Sequence, residues 1–225
     1  MKILLISGHG DGDCGAVGNG YQEYFLTREF TNALKRELKV YVDIDIYDTR
    51  KNAFKEYKKG ALKISQCDYV LEIHFNSFTN PKAHGTEIYV TSKEKGVSVE
   101  NAILKRLSKY FKNRGIVRRD DLAVIRTIKN KGISSALLEV CFISNANDMK
   151  TYQANKNAII KSVAMGIVEG FGLNAKTYTI KKGDTLFSIA KRFLGNGNRY
   201  TNILKLNPTI KADNLQIGTT IKIPK

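Results

Sequence analysis

Over its first 173 residues the chain alternates short apolar runs with amphipathic stretches, and few architectures accommodate that alternation. The run KILLIS (2–7) reads as a buried strand that stops at a glycine, and VYVDIDIYDT (40–49) alternates with a period of two. YVLEIHFNS (69–77), TEIYVTS (86–92) and the almost unbroken apolar segment SALLEVCFIS (135–144) complete the strand set. Between them, 21–39, 54–65, 98–114 and 155–172 carry helical periodicity, with Ser98 placed to cap the third. Strands separated by helices predict an α/β fold, with helices covering both faces of a sheet.

The pattern changes at GLNAKT (172–177), a short polar stretch without periodicity, and a boundary is expected near residue 175. The remaining segment reads strand, helix, helix, strand, close to the smallest size that holds its own core. Ten lysines and arginines against Asp184 and Asp213 give this tail +8, half of the chain's formal +16. A charge that large points to polyanionic surroundings such as nucleic acid, anionic lipid or an acidic wall polymer. Nucleic acid is disfavoured, because there is neither an aromatic-rich RNA-binding strand motif nor zinc-finger spacing. The first apolar run, ILLI, is too short for a signal-peptide core and no stretch reaches 18 apolar residues, so membrane insertion is not expected. Synthesis in the cytoplasm without a signal peptide is the corresponding expectation. Cys14, Cys67 and Cys141 are odd in number and widely spaced, as expected of reduced thiols.

Three histidines are present. His9 lies in SGHGDGDCGAVGNG, just past the first strand, where open α/β sheets bind ligands. That glycine-rich loop lacks both the GK[ST] of a phosphate cradle and the GxGxxG of a dinucleotide site. His74 shares a strand face with Asn76, and taken alone it reads as a hydrogen-bonded core histidine. Glu23, in the first turn of the 21–39 helix, falls on the same face as Phe30 and Leu34. The helix dipole also favours an acid there without any metal. Glu29 falls at the edge of the apolar arc, and Glu37 points roughly inward but lies about two turns further along, far from the sheet edge. Glu139 is the one carboxylate in ALLEVCFI, and an unpaired anion in a buried strand costs several kcal/mol. It therefore pairs with a cation or works as an acid/base. Two imidazoles and a carboxylate with an open fourth position form a common catalytic zinc shell.

The ordered segments GHG-DGDCGAVGNG-YQE, LEIHFNS, HGTEIYV and ALLEVCFISN resemble the zinc-dependent N-acetylmuramoyl-L-alanine amidases of the amidase 3 type, over roughly residues 1–172. The resemblance implies a twisted, mostly parallel sheet flanked by helices, with a catalytic domain over 1–173. It implies one Zn²⁺ held by His9, Glu23 and His74, and Glu139 as general acid/base for a zinc-activated water. The bond cleaved would be the amide joining the lactyl group of N-acetylmuramic acid to L-alanine. Cys141 stands where the family often has glycine and is expected to be a buried thiol rather than a nucleophile. His84 is expected outside the ligand set, in a surface loop or beside a ligand. Glu87 is placed to orient a ligand histidine. Asn76 and Arg126 are candidate substrate contacts, although Arg126 also reads as an exposed cation at a strand end.

Residues 178–224, through KKGDTLFSIAKRF, ILKLNP and LQIGTTIKIP, resemble a LysM module, after a linker at 174–177. The implied fold is βααβ, with Asp184 or Thr185 capping the first helix. The implied glycan groove is lined by Gly183, Asp184, Thr185 and Leu186 from one loop and Asn207, Pro208, Thr209 and Ile210 from the other. Together the two resemblances imply a peptidoglycan hydrolase of a Gram-positive system, an endolysin or autolysin acting at the bacterial wall after release. Its partners would be the GlcNAc–MurNAc glycan, its stem peptide and anionic wall polymers. The alternative is a non-catalytic peptidoglycan-binding protein that retains a hydrolase fold.

Overall fold

A computed structural model of the chain describes residues 1–173 and 176–223, and of Lys205 the backbone alone. It contains two compact units, Met1–Gly170 and Phe171–Lys225. In chain order the first unit comprises β1 (Lys2–Ser7), β2 (Val17–Gly18), β3 (Tyr21–Gln22), α1 (Glu23–Leu38), β4 (Asp43–Ile46), α2 (Ala53–Lys58) and β5 (Tyr69–Asn76). It continues through β6 (Thr86–Val90), α3 (Ser98–Leu107), β7 (Asn113–Arg118), α4 (Ala123–Asn130), β8 (Ser134–Phe142) and α5 (Ala146–Gly170). Six strands form one sheet in the order β4-β1-β5-β8-β6-β7. Every pairing is parallel except β6 with β8. This is the mostly parallel α/β sheet expected from the alternating pattern.

The three central strands are apolar because both their faces are covered. Ile3, Leu5, Leu71, Ile73, Leu138 and Val140 are fully buried. The face of α1 that carries Phe30 and Leu34 packs inward, as its 3.6-residue period requires. There Phe30 meets Phe75 of β5 and Tyr152 of α5, with ring centroids 6.3 and 6.5 Å away. Each fully buried side chain of this kind contributes about 1.5–3 kcal/mol.

The local pattern misleads at several points. The helix expected over 98–114 ends at Leu107, because Asn113–Arg118 pairs with β6 and tertiary pairing overrides the helical period. Ser98 is the first helical residue, and the cap position belongs to Val97, which makes no side-chain cap. The 54–65 helix shortens to α2, whose Asn52 cap accepts from the N–H groups of Phe54 and Lys55. Residues 123–130 form a helix that the short apolar run did not reveal, so Arg126 lies on α4 and not at a strand end. The final helix begins nine residues early, at Ala146, and is broken at Asn155.

In the second unit, β9 (Lys176–Thr179) and β10 (Thr220–Ile223) pair antiparallel. Between them lie α6 (Leu186–Leu194), a 3₁₀ turn (Gly197–Arg199) and α7 (Tyr200–Leu206). Thr185 and Ser188 form a reciprocal capping box at the start of α6, and Gly195, left-handed at φ 74°, ends it. Ile180, Leu186, Ile189, Ala190, Ile203, Ile221 and Ile223 make the core. Of the linker expected at 174–177, residues 174 and 175 lie outside the described residues, and Lys176 and Thr177 belong to β9. Among the described residues no helix is long and apolar enough to cross a membrane.

Candidate metal centre

Beyond the carboxyl end of β1 the chain turns through Gly8, His9 and Gly10, with His9 itself left-handed at φ 66°. A non-glycine residue held there stores about 1–3 kcal/mol unless its surroundings fix it. Arg28 of α1 supplies that constraint. Its buried guanidinium donates to the carbonyls of Gly8 at 2.7 Å, His9 at 2.8 Å and Thr49 at 3.0 Å. Thr27 Oγ1 donates to Gly8 O as well. His9 is thereby aimed at Glu23, the first residue of α1, and at His74 near the end of β5.

His9 Nε2 and His74 Nδ1 each lie 2.9 Å from a different oxygen of Glu23. One ligand atom from each of the three residues falls within 4.8 Å of the others. Tetrahedral donors about 2.0–2.2 Å from Zn²⁺ are separated by little more than 3 Å, so the spacing fits such an ion. The Glu23 oxygens are held in place by the N–H groups of Ala16 and Phe75, each at 3.0 Å. Glycine is required beneath both rings. A Cβ on Gly8 would collide with the His74 imidazole, and one on Gly15 would lie 2.6 Å from His9 Cδ2.

The electrostatics call for positive charge at this point. Burial alone would raise the carboxyl of Glu23, but hydrogen bonds from His74 and His9 outweigh it and hold that carboxyl far below its usual range. Burial would lower the pKa of both histidines, yet their bonds to carboxylates raise His9 and hold His74 well above its ordinary value. Three acceptors converging on one point are satisfied either by extra protons or by a cation, and the donor set is one that Zn²⁺ accepts.

Glu139 sits opposite His74 in the β5–β8 register and opposite Glu87 in the β8–β6 register, so the three share one face of the sheet. Burial pushes its carboxyl up to about 8. Its Oε2 is buried, with no hydrogen-bond partner among the described residues. The carboxylate therefore stands beside the His–Glu–His cluster with capacity unused.

Glu87 does not orient an imidazole: its carboxylate takes Asn76 Nδ2 at 2.6 Å and Tyr89 OH at 3.0 Å and pairs with Arg114 at 3.2 Å. The carboxylates that do reach the histidines are Asp13, 2.9 Å from His9 Nδ1, and Glu72, 3.3 Å from His74 Nε2. Both went unrecognised in the sequence. Asn76 is thus tied to Glu87, beside the cluster. Arg126 donates to Asp120 O and Tyr57 OH, on α4. His84 is an exposed loop residue with Nδ1 against Lys82 O, and Cys141 is fully buried with its thiol pushed up by burial. Glu29 pairs with Lys156 at the surface.

In the second unit two expected glycan contacts are ruled out as side chains. Leu186 is in the core. Asn207 is buried, with its amide donating to Ile203 O and Lys222 O and accepting from Lys222 N. Thr185 caps α6, and Asp184 accepts from Lys181 N and Tyr178 OH. Pro208 and Thr209 are exposed, Ile210 is half-buried, and Gly183 turns the first loop at φ 86°.

Comparison with known proteins agrees with this geometry. The family model of the N-acetylmuramoyl-L-alanine amidases matches residues 3–169, and the LysM domain model matches 178–224. A probable autolysin PH of Staphylococcus aureus is 26% identical over 264 residues, covering 94% of this chain and 54% of that protein. The endolysin of Bacillus phage SPP1 is 29% identical over 187 residues, covering 77% of this chain and 66% of that one. The chain thus spans between half and two thirds of the length of these relatives. The solved catalytic domain of CD27L endolysin targeting Clostridia difficile superposes with a TM-score of 0.61 at 25% identity, over 76% of this chain and 96% of that one. A family model that matches residues 3–169, and with them the three cluster residues and Glu139, settles the affiliation: the chain belongs to the N-acetylmuramoyl-L-alanine amidase family and carries a LysM domain after it.

Proposed function

We propose that the chain hydrolyses the amide between the lactyl group of N-acetylmuramic acid and L-alanine in peptidoglycan, with one Zn²⁺ held by His9, Glu23 and His74. The observation that carries this reading is the convergence of those three donors beside half-buried Glu139, whose Oε2 is buried and unpartnered among the described residues. Held by those residues, Zn²⁺ would supply Lewis acidity, of the kind that lowers the pKa of water towards 7 and polarises a carbonyl. Glu139 accepts the proton of the attacking water and returns it to the nitrogen of the leaving L-alanine. Its raised affinity for protons suits it to both halves of that transfer. Asn76, held by Glu87, presents a polar group beside the site for the substrate. Arg126 is the more remote substrate candidate.

The LysM domain holds the enzyme on the glycan through the exposed parts of its two loops, Gly183–Thr185 on one side and Pro208, Thr209 and Ile210 on the other. The formal charge of +16 adds attraction to anionic wall polymers. Digestion of purified peptidoglycan by zinc-loaded protein tests the reading. New L-alanine amino groups without new reducing sugar ends are expected, and reducing ends without amino groups would show a glycosidase instead.

A further inference from the structure

Each imidazole of the cluster meets two carboxylates, one on either side of the ring. The inner nitrogens, His9 Nε2 and His74 Nδ1, face Glu23. The outer nitrogens face Asp13 and Glu72. Once a cation on the inner side engages Glu23, each ring keeps a single proton, and the outer carboxylate, which only accepts hydrogen bonds, holds that proton on its own side and leaves the lone pair of the inner nitrogen to the metal. The inner nitrogen is Nε2 in one ring and Nδ1 in the other. We propose that Asp13 and Glu72 are positioning residues that lock the two histidines in opposite tautomers, so that His9 offers Nε2 and His74 offers Nδ1 to the metal. This rests on the metal reading above and adds which atoms bind and what fixes them.

The two anchors are built differently. Asp13 belongs to the loop after β1, and other groups hold it in place. Gly15 N donates to its Oδ1 at 3.0 Å and Asn52 Nδ2 to its Oδ2 at 3.0 Å. Asn52 is also the cap of α2, so that helix start and the His9 loop share one residue. Glu72 lies on β5 two residues before His74, which places both side chains on one face of the strand. Its side chain is buried, and its one hydrogen bond among the described residues is to His74 Nε2. A buried anion so sparsely satisfied is costly to fold around. A cation bound through the far side of the same ring offsets that cost, and the carboxylate in turn makes His74 a stronger donor.

Only three histidines are present and His84 is exposed, so each ring is separable by nitrogen-15 NMR of the full chain. With Zn²⁺ added, the long-range correlations should show His9 protonated at Nδ1 and His74 at Nε2. Both rings in one tautomer would overturn the proposal while leaving the metal site intact. Failure of the wild-type chain to take up Zn²⁺ would overturn the metal reading, and the proposal with it. Glu72→Leu should weaken Zn²⁺ binding about 10–100-fold in competition with a chelator. Glu72→Gln, which keeps an acceptor but no charge, should retain the His74 tautomer and recover part of the affinity. Unchanged affinity and tautomer in folded Glu72→Leu would remove Glu72 from this role.

Discussion

The two units bury polar groups on opposite principles. The first withdraws Glu23, Glu72, Glu87, Glu94, Glu100 and Asp148 from solvent, whereas the one buried polar side chain described in the second is Asn207. Asn207 makes three hydrogen bonds to main-chain groups that tie α7 to β10, and both of its donor hydrogens are used in them. Glu139 keeps an oxygen unpaired, and the three ligand candidates direct their acceptors at a common point. A buried polar group with its capacity used up maintains a fold. One with capacity in reserve beside three converging acceptors is available for chemistry.

The largest effect should come from the imidazoles. His9→Ala or His74→Ala removes one of three protein ligands and should cost both bound zinc and essentially all hydrolysis, whereas His84→Ala should retain zinc. Metal analysis and release of L-alanine amino groups check both halves. If the His84 substitution emptied the site instead, the division between cluster and surface loop would be wrong.

Glu139 gives the next effect, with opposite signs for activity and stability. Removing the proton acceptor should slow hydrolysis roughly 10²–10⁴-fold. The folded carboxyl titrates at about 8 against an ordinary 4.5, so the native state favours the protonated form. The destabilisation from ionising it is absent below about 4.5 and grows until the pH passes 8. Glu139→Gln should therefore raise the Tm of the metal-free chain by more at pH 8 than at pH 5. Thermal scans at the two pH values check the sign.

In the second unit, Asn207→Ala leaves the Lys222 N–H without its side-chain acceptor and should cost that unit about 1–3 kcal/mol. Cleavage of small soluble muropeptides by the same variant should be unchanged. The smallest effect is that of salt. Separated near residue 175, each half carries about +8. Retention of residues 1–175 on walls should fall as ionic strength passes about 0.15 M, and that of 176–225 on walls stripped of anionic polymer should persist. Pull-downs at low and high salt compare them.

Much of this contrast was legible in the chain. Glu139 stood out as the lone carboxylate in ALLEVCFI, either ion-paired or chemically active, whereas His9, Glu23 and His74 were gathered into one ligand set by the family resemblance. The same reasoning applied to LEIH would have found Glu72, two residues from a ligand on the same strand face. Asp13 and Arg28 were hidden because their roles depend on how a loop curls through a left-handed His9, which no periodicity encodes. The helix at 123–130 was missed because a short apolar run does not distinguish strand from helix. Strand β7 was lost inside an apparent helix because its pairing with β6 is not local. In the tail, the LysM resemblance placed Leu186 and Asn207 in the glycan groove, but Leu186 packs in the core and the Asn207 amide is bonded to main-chain groups.

Zinc content measured side by side in Glu23→Ala and Glu139→Ala bears most directly on the separation of ligand from acid/base. The expected result is a metal-depleted Glu23 variant and a Glu139 variant that keeps about one Zn²⁺ per chain while hydrolysing almost nothing. Stoichiometric loss of zinc from Glu139→Ala, with retention in Glu23→Ala, would make Glu139 the ligand and contradict the assignment.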